Sequence, residues 1–139
     1  MMHKVLILLS SNRYQSANLQ KARVSLEAVL VEPQYSRELW TEPIGTTRSD
    51  HYLNQLVEAK TALGFDELSS ALKDIEVAFG RTPSKRQMGI VPIDLDLLLY
   101  DEQQLHLKDW SRPYVTQLIG QLDRSAVSKS AQASKEECG

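Results

Sequence analysis

The chain has a single cysteine, Cys138, which excludes an internal disulfide framework and a thiolate zinc cluster and suits a reducing compartment. Long apolar runs are also missing. The opening Met1, Met2, His3, Lys4 leads into five apolar residues from Val5 to Leu9, too few for a signal-peptide core or a membrane span. There is no excess of positive charge: 16 Lys and Arg face 18 Asp and Glu, for a net charge of −2. That leaves no basic field of the kind non-specific nucleic-acid binding uses. Small-molecule partners are therefore expected, with no nucleic acid and no membrane, in a cytoplasmic monomer. The three histidines, His3, His51 and His106, fall in no ligand-like spacing, and no internal repeat is present.

What is present is one domain's worth of chain: 139 residues, 42% of them hydrophobic. A single domain over residues 1–122 is expected, followed by a flexible tail over 123–139 that is rich in Ser, Ala and Lys. The run at 5–9 reads as a buried strand. A helix capped by Ser16 follows, with Leu19, Ala22, Leu26, Val29 and Leu30 inward as far as Pro33. Weak alternation predicts a second strand over 34–41, a polar loop over 42–50 and a third strand from Tyr52. After Gly64 the period changes: Leu68, Ala71, Leu72, Ile75 and Phe79 stripe a helix that Gly80 ends, and a basic loop with Arg81, Lys85 and Arg86 comes next. A fourth strand spans 93–100. A turn region and a short closing helix over 113–122, with Val115, Leu118, Ile119 and Leu122 inward, complete the domain. Trp40 and Trp110 are read as packing residues or loop anchors.

This order, strand, helix, strand, strand, helix, strand, predicts an α+β, ferredoxin-like βαββαβ sandwich with an antiparallel sheet and helices on one face. The first and fourth strands should be neighbours at the sheet's centre, and the second face free for a ligand.

The fourth strand carries the chemistry. Side chains alternate along a strand, so Asp94 and Asp96 share one face while Ile93, Leu95, Leu97 and Leu99 take the other. Two carboxylates about 6–7 Å apart on such a strand call for a neutralising cation. Mg²⁺, which combines one or two carboxylates with substrate phosphate oxygens, is the natural candidate. Alternation alone is equally compatible with two aspartates on a solvated strand face.

Several further residues stand in order around that strand: Ser11 and Asn12; Thr41, Pro43 and Gly45; Tyr52, Leu53 and Asn54; Glu76, Gly80 and Arg81; then the strand itself. From about residue 5 to about residue 114, this set resembles the 6-hydroxymethyl-7,8-dihydropterin pyrophosphokinases of folate biosynthesis. The resemblance implies transfer of a pyrophosphoryl group from ATP to a reduced pterin with two Mg²⁺ ions. Asp94 and Asp96 would hold the metal, with Arg81 catalytic beside them. Asn54 would read the pterin edge, Tyr52 and Tyr114 would sandwich its ring, and backbone groups near Thr41, Pro43 and Ile44 would complete the slot. Glu76, Arg81 and Arg112 would lie at the nucleotide. This chain departs from the family pattern at Ser10, usually glycine, and at Pro83, Met88, Val91, Gln104 and Asp109, where the family carries arginine, tryptophan, arginine, arginine and histidine. A non-catalytic pterin-binding or regulatory relative is the alternative those departures leave open, and a plain ferredoxin-like interaction module is a third.

Overall fold

The computed structural model of the chain describes residues 1–42 and 51–122. Pro43 and Ile44 of the expected substrate slot, and the expected tail, lie outside the described residues. Strand β1 (His3–Ser11) leads to helix α1 (Gln15–Leu26), strands β2 (Val31–Tyr35), β3 (Leu39–Thr41) and β4 (Tyr52–Thr61), helices α2 (Phe65–Ala78) and α3 (Pro83–Gln87), strands β5 (Asp94–Tyr100) and β6 (Gln103–Gln104), and helix α4 (Leu107–Trp110). A last helix, α5, covers residues 113–122.

All pairings are antiparallel, in the order β2–β4–β1–β5–β6, with β3 on the same edge of β4 as β2. Because β2 and β3 meet successive stretches of β4, they act as one irregular second strand. Ser36 bridges them, its N–H donating to the Leu56 carbonyl and its hydroxyl accepting the Leu56 N–H. The sheet is thus the ferredoxin-like one the element order predicts. β1 is central, as expected from its apolar run. β5 lies beside β1 but toward the edge, since β6 covers only Leu99 and Tyr100. The β5 edge at Asp94–Leu97 therefore borders a cleft instead of another strand.

α1 and α2 lie on one face. Val5, Ile7 and Leu9 of β1, Leu53 and Val57 of β4 and Leu95 and Leu97 of β5 pack there against Leu19, Ala22, Leu26, Leu68 and Leu72. Burying each large aliphatic side chain contributes about 1.5–3 kcal/mol before chain entropy is set against it. The second face is not left free. α5 seats Val115, Leu118 and Leu122 on Leu6, Leu8, Leu56 and Leu98, so an open surface remains only toward the Asp94 end of β5.

Three local expectations are corrected by tertiary context. Ser16 does not cap α1: the chain enters through Tyr14 in a left-handed conformation with no side-chain cap, and the Asn18 Nδ2 donates to the Arg13 carbonyl at 2.6 Å. α1 stops at Leu26, well before Pro33, because β2 must begin at Val31 to pair with Lys60. The alternation of β5 breaks at Leu98, an extra residue between the Leu6–Leu99 and Ile7–Leu97 pairs. That bulge turns Leu98 and Leu99 to the α5 side and Tyr100 to the α1/α2 side. Of the two tryptophans, Trp110 anchors as expected, its Nε1 donating to the Leu105 carbonyl at 2.9 Å, whereas Trp40 is 55% exposed.

Candidate functional site

Strand register assembles the site. On β1, Leu8 stands opposite Asp96 and Ser10 opposite Asp94; on its other side Ser10 stands opposite Asn54 of β4. Same-face alternation in three adjacent strands therefore gathers Asp94, Asp96, Ser10 and Asn54 on the face that α5 half covers. A pocket of about 180 Å³ opens there, lined by Leu8, Ser10, Thr41, Glu42, Tyr52, Asn54, Asp94, Asp96, Asp109, Arg112 and Tyr114. Of the residues expected to meet the pterin, all those described are in it: Thr41, Tyr52, Asn54 and Tyr114. Arg112, expected at the nucleotide, lies in this smaller pocket instead, its Nε donating to Asp109 Oδ1 at 3.1 Å.

On the other side of the aspartates a larger cleft of about 1040 Å³ runs between α2, α3 and the open edge of β5. Lys73, Glu76, Arg81, Thr82, Arg86 and His106 line it together with Asp94 and Asp96. The acidic pair is thus the wall common to both cavities. Lys73 was not evident from motif reading, yet Ser69, Lys73 and Glu76 fall at helical spacing on one face of α2.

The electrostatics are those of a site short of positive charge. Glu76 is buried at 7% exposure and ties α2 to β5, accepting the Leu95 N–H at Oε2 over 2.7 Å. Arg81 Nη1 forms an ion pair with the same Oε2 at 2.8 Å and donates a hydrogen bond to Asp94 Oδ1 at 2.6 Å. Burial opposes the Arg81 charge, but Asp94, Glu76 and Asp96 outweigh it and hold the guanidinium above its ordinary range. One arginine does not suffice for three carboxyls. Burial pushes Glu76 up to about 7, with Asp94 adding to it against the Leu95 N–H and Arg81. Burial also pushes Asp96 up to about 8, helped by the charges of Asp94 and Asp109. Burial and Asp109 raise the Tyr114 phenol in turn.

This donor set fits a hard divalent cation that shares its shell with a ligand. Among the described residues no group of three or more His, Cys, Asp or Glu side chains is arranged to hold a metal by itself. Asp94 and Asp96 supply two carboxylates, which is the complement Mg²⁺ takes when phosphates and water provide the rest.

The smaller pocket is built on Asn54, which is 1% exposed. Its Oδ1 accepts the Ser10 hydroxyl at 2.8 Å, and its Nδ2 donates to Thr41 Oγ1 at 2.8 Å and to the Leu39 carbonyl at 3.0 Å. Two roles escaped the sequence reading. Ser10 bonds the Asn54 amide, and Asn12 clamps the segment ahead of β5, its Nδ2 donating to the Gly89 carbonyl at 2.6 Å and its Oδ1 accepting the Val91 N–H at 2.7 Å.

Similar sequences occur among known proteins. The model of the 7,8-dihydro-6-hydroxymethylpterin-pyrophosphokinase family matches residues 6–124. The chain is 37% identical over 102 residues to the "Folate synthesis bifunctional protein, mitochondrial" of Pisum sativum, covering 68% of this chain and 20% of that one. It is 31% identical over 141 residues to the protein of the same name from Arabidopsis thaliana, covering 94% and 25%. It is also 34% identical over 74 residues to the 2-amino-4-hydroxy-6-hydroxymethyldihydropteridine pyrophosphokinase of Bacillus subtilis, covering 53% and 44%. The chain therefore spans a quarter or less of these plant relatives and less than half of the bacterial one.

Proposed function

The chain belongs to the 7,8-dihydro-6-hydroxymethylpterin-pyrophosphokinase family, and from that premise we propose that it carries the pyrophosphoryl group of ATP to 6-hydroxymethyl-7,8-dihydropterin in folate biosynthesis, releasing AMP. One observation carries the reading: Asp94 and Asp96 border both cavities, the larger rimmed by Lys73, Arg81 and Arg86 and the smaller by Tyr52, Asn54 and Tyr114. A triphosphate suits the first in size and charge. A flat bicyclic heteroaromatic suits the second, where two phenol rings offer stacking surfaces and Asn54 Oδ1 keeps a second lone pair for an N–H of the heterocycle.

The chemistry needs positioning and charge neutralisation more than a nucleophile. The substrate's hydroxymethyl oxygen attacks the β-phosphorus, the bond from that phosphorus to the α,β-bridging oxygen breaks, and AMP departs with that oxygen while the hydroxyl proton is given up. Asn54 and the tyrosines hold the pterin so that this hydroxyl faces the aspartates. Arg81, Lys73 and Arg86 draw the phosphates to the other side of them. Mg²⁺, two ions in this proposal, held at Asp94 and Asp96, supplies neutralisation of the phosphate charge when bound. Glu76 contributes by fixing Arg81 and the start of β5, and Arg112 by balancing Asp109 close to both substrates. Thr41, and beyond it Pro43 and Ile44, completes the pterin slot.

The proposal takes the chain as a monomer acting on small molecules without nucleic acid, in the cytoplasm. Among the described residues no helix is long and apolar enough to cross a membrane. The test is AMP release from ATP, Mg²⁺ and the hydroxymethyl-dihydropterin. Pterin-dependent AMP is expected from the parent chain and not from an Asp94→Ala, Asp96→Ala variant; equal rates from the two would overturn the proposal.

A further inference from the structure

We propose that Ser10 is a positioning residue that holds the Asn54 side-chain oxygen in place for pterin recognition; this rests on the functional reading above. Ser10 lies one place from the end of β1, 7% exposed, facing the smaller pocket. Its hydroxyl donates to Asn54 Oδ1 at 2.8 Å, both groups being buried. From the opposite side Thr41 Oγ1 and the Leu39 carbonyl take the two Nδ2 hydrogens. The amide thus lies across β4 between a donor on β1 and acceptors on β3. A turn of 180° about its last side-chain bond would press Oδ1 against the Leu39 carbonyl, while the Ser10 and Thr41 hydroxyls, each both donor and acceptor, would reverse their roles; the carbonyl sets which way the amide faces, and the Ser10 hydroxyl fixes where its oxygen sits.

Without the Ser10 hydroxyl, Oδ1 loses its donor and the amide, held by Nδ2 alone, is free to rock. A heterocycle N–H then meets the second lone pair of Oδ1 only part of the time. Binding falls by the fraction of time spent displaced, together with the loss of a preorganised partner. Ser10 also stands opposite Asp94 in the strand register, yet it makes no contact with the larger cleft. The effect should therefore be confined to the pterin.

The experiment compares Ser10→Ala and Ser10→Thr with the parent chain in the AMP-release assay, varying pterin and ATP separately. Ser10→Ala is expected to raise the pterin KM by about fivefold to tenfold, the worth of one buried neutral hydrogen bond, with the ATP KM nearly unchanged. Ser10→Thr, which keeps the hydroxyl and can point its methyl group into the pocket, is expected to restore the parent value. A Ser10→Ala pterin KM equal to the parent's, or a rise in both KM values alike, would overturn the role of Ser10 while leaving the functional reading intact. A parent chain without pterin-dependent AMP release would take down both. Should the alanine variant not fold, Ser10→Cys, whose thiol is a weak donor, takes its place in the same assay, with the same pterin-specific rise expected and an unchanged pterin KM overturning the role.

Discussion

Replacing Asp96 with asparagine probes the electrostatics of the site from two sides. In the metal-free protein the Asp96 carboxyl keeps its proton to about pH 8, against an ordinary 3.8, because burial, Asp94 and Asp109 oppose its charge. A raised value in the folded state means that the native chain holds the proton more tightly than the unfolded chain. The stability this brings is fully present below about pH 4 and is lost as the pH climbs to about 8. Each pH unit in that window carries at most about 1.36 kcal/mol. A carboxyl that borders two cavities admits water and relaxes, so the realised cost at about pH 8.5 is set at about 2 kcal/mol. Asparagine keeps the shape and removes the charge. Asp96→Asn should therefore raise Tm in the presence of a chelator by about 8 °C at about pH 8.5, taking about 4 °C per kcal/mol for a domain of this size. Near pH 4 it should change little. The same variant should lose the Mg²⁺-dependent rise in Tm that a cation bound only to the native parent must produce. Circular-dichroism melting at the two pH values, with chelator or with Mg²⁺, reads all of this. An asparagine variant less stable than the parent in chelator at the higher pH, or one that still responds to Mg²⁺, would refute the reasoning.

Arg81→Ala strands Glu76 and Asp94 without their shared cation; it should destabilise the chain by about 3 kcal/mol in urea titration near neutral pH and raise the ATP KM far more than the pterin KM. Asn12→Ala removes both side-chain bonds that fasten residues 89–91, at a cost of about 1–3 kcal/mol measurable by the same titration. Gly80→Ala places a side chain at φ +87°, where a Cβ is strained, and should lower stability by about 1 kcal/mol.

The elements set by strong local signals were legible. The apolar run of β1 put it at the sheet's centre, and the Gly64 to Gly80 stripe placed α2 closely. Asp94 and Asp96 fell on one face because the alternation of β5 is unbroken from Asp94 to Leu97, ahead of the bulge. What was not legible depended on partners distant in sequence. Nothing near Leu98 announces a bulge; it follows from fitting β5 to β1, and with it Leu98 and Leu99 pass to the α5 side. The apolar side of α5 was evident from Val115, Leu118 and Leu122, but which sheet face it would cover was not, and that choice closes half of the surface the motif alone leaves open. The polar network is hidden for the same reason. Ser10 and Asn54 are 44 positions apart and meet only because β1 and β4 pair in this register. Asn12 reads as a turn residue until the chain ahead of β5 is seen in its grip.

The central claim is that Asp94 and Asp96 hold a cation between a nucleotide and a pterin. It is tested most directly by soaking crystals with Mn²⁺ in place of Mg²⁺, a non-hydrolysable ATP analogue and the pterin, and locating the metal by anomalous scattering. The account predicts metal bound to oxygens of both carboxylates and of the phosphates, near the roughly 2.1 Å of inner-sphere Mg²⁺, with Arg81 drawn off Asp94 toward the nucleotide. A nucleotide seated in the larger cleft with no metal at the aspartates, and Arg81 still paired to Asp94, would contradict it.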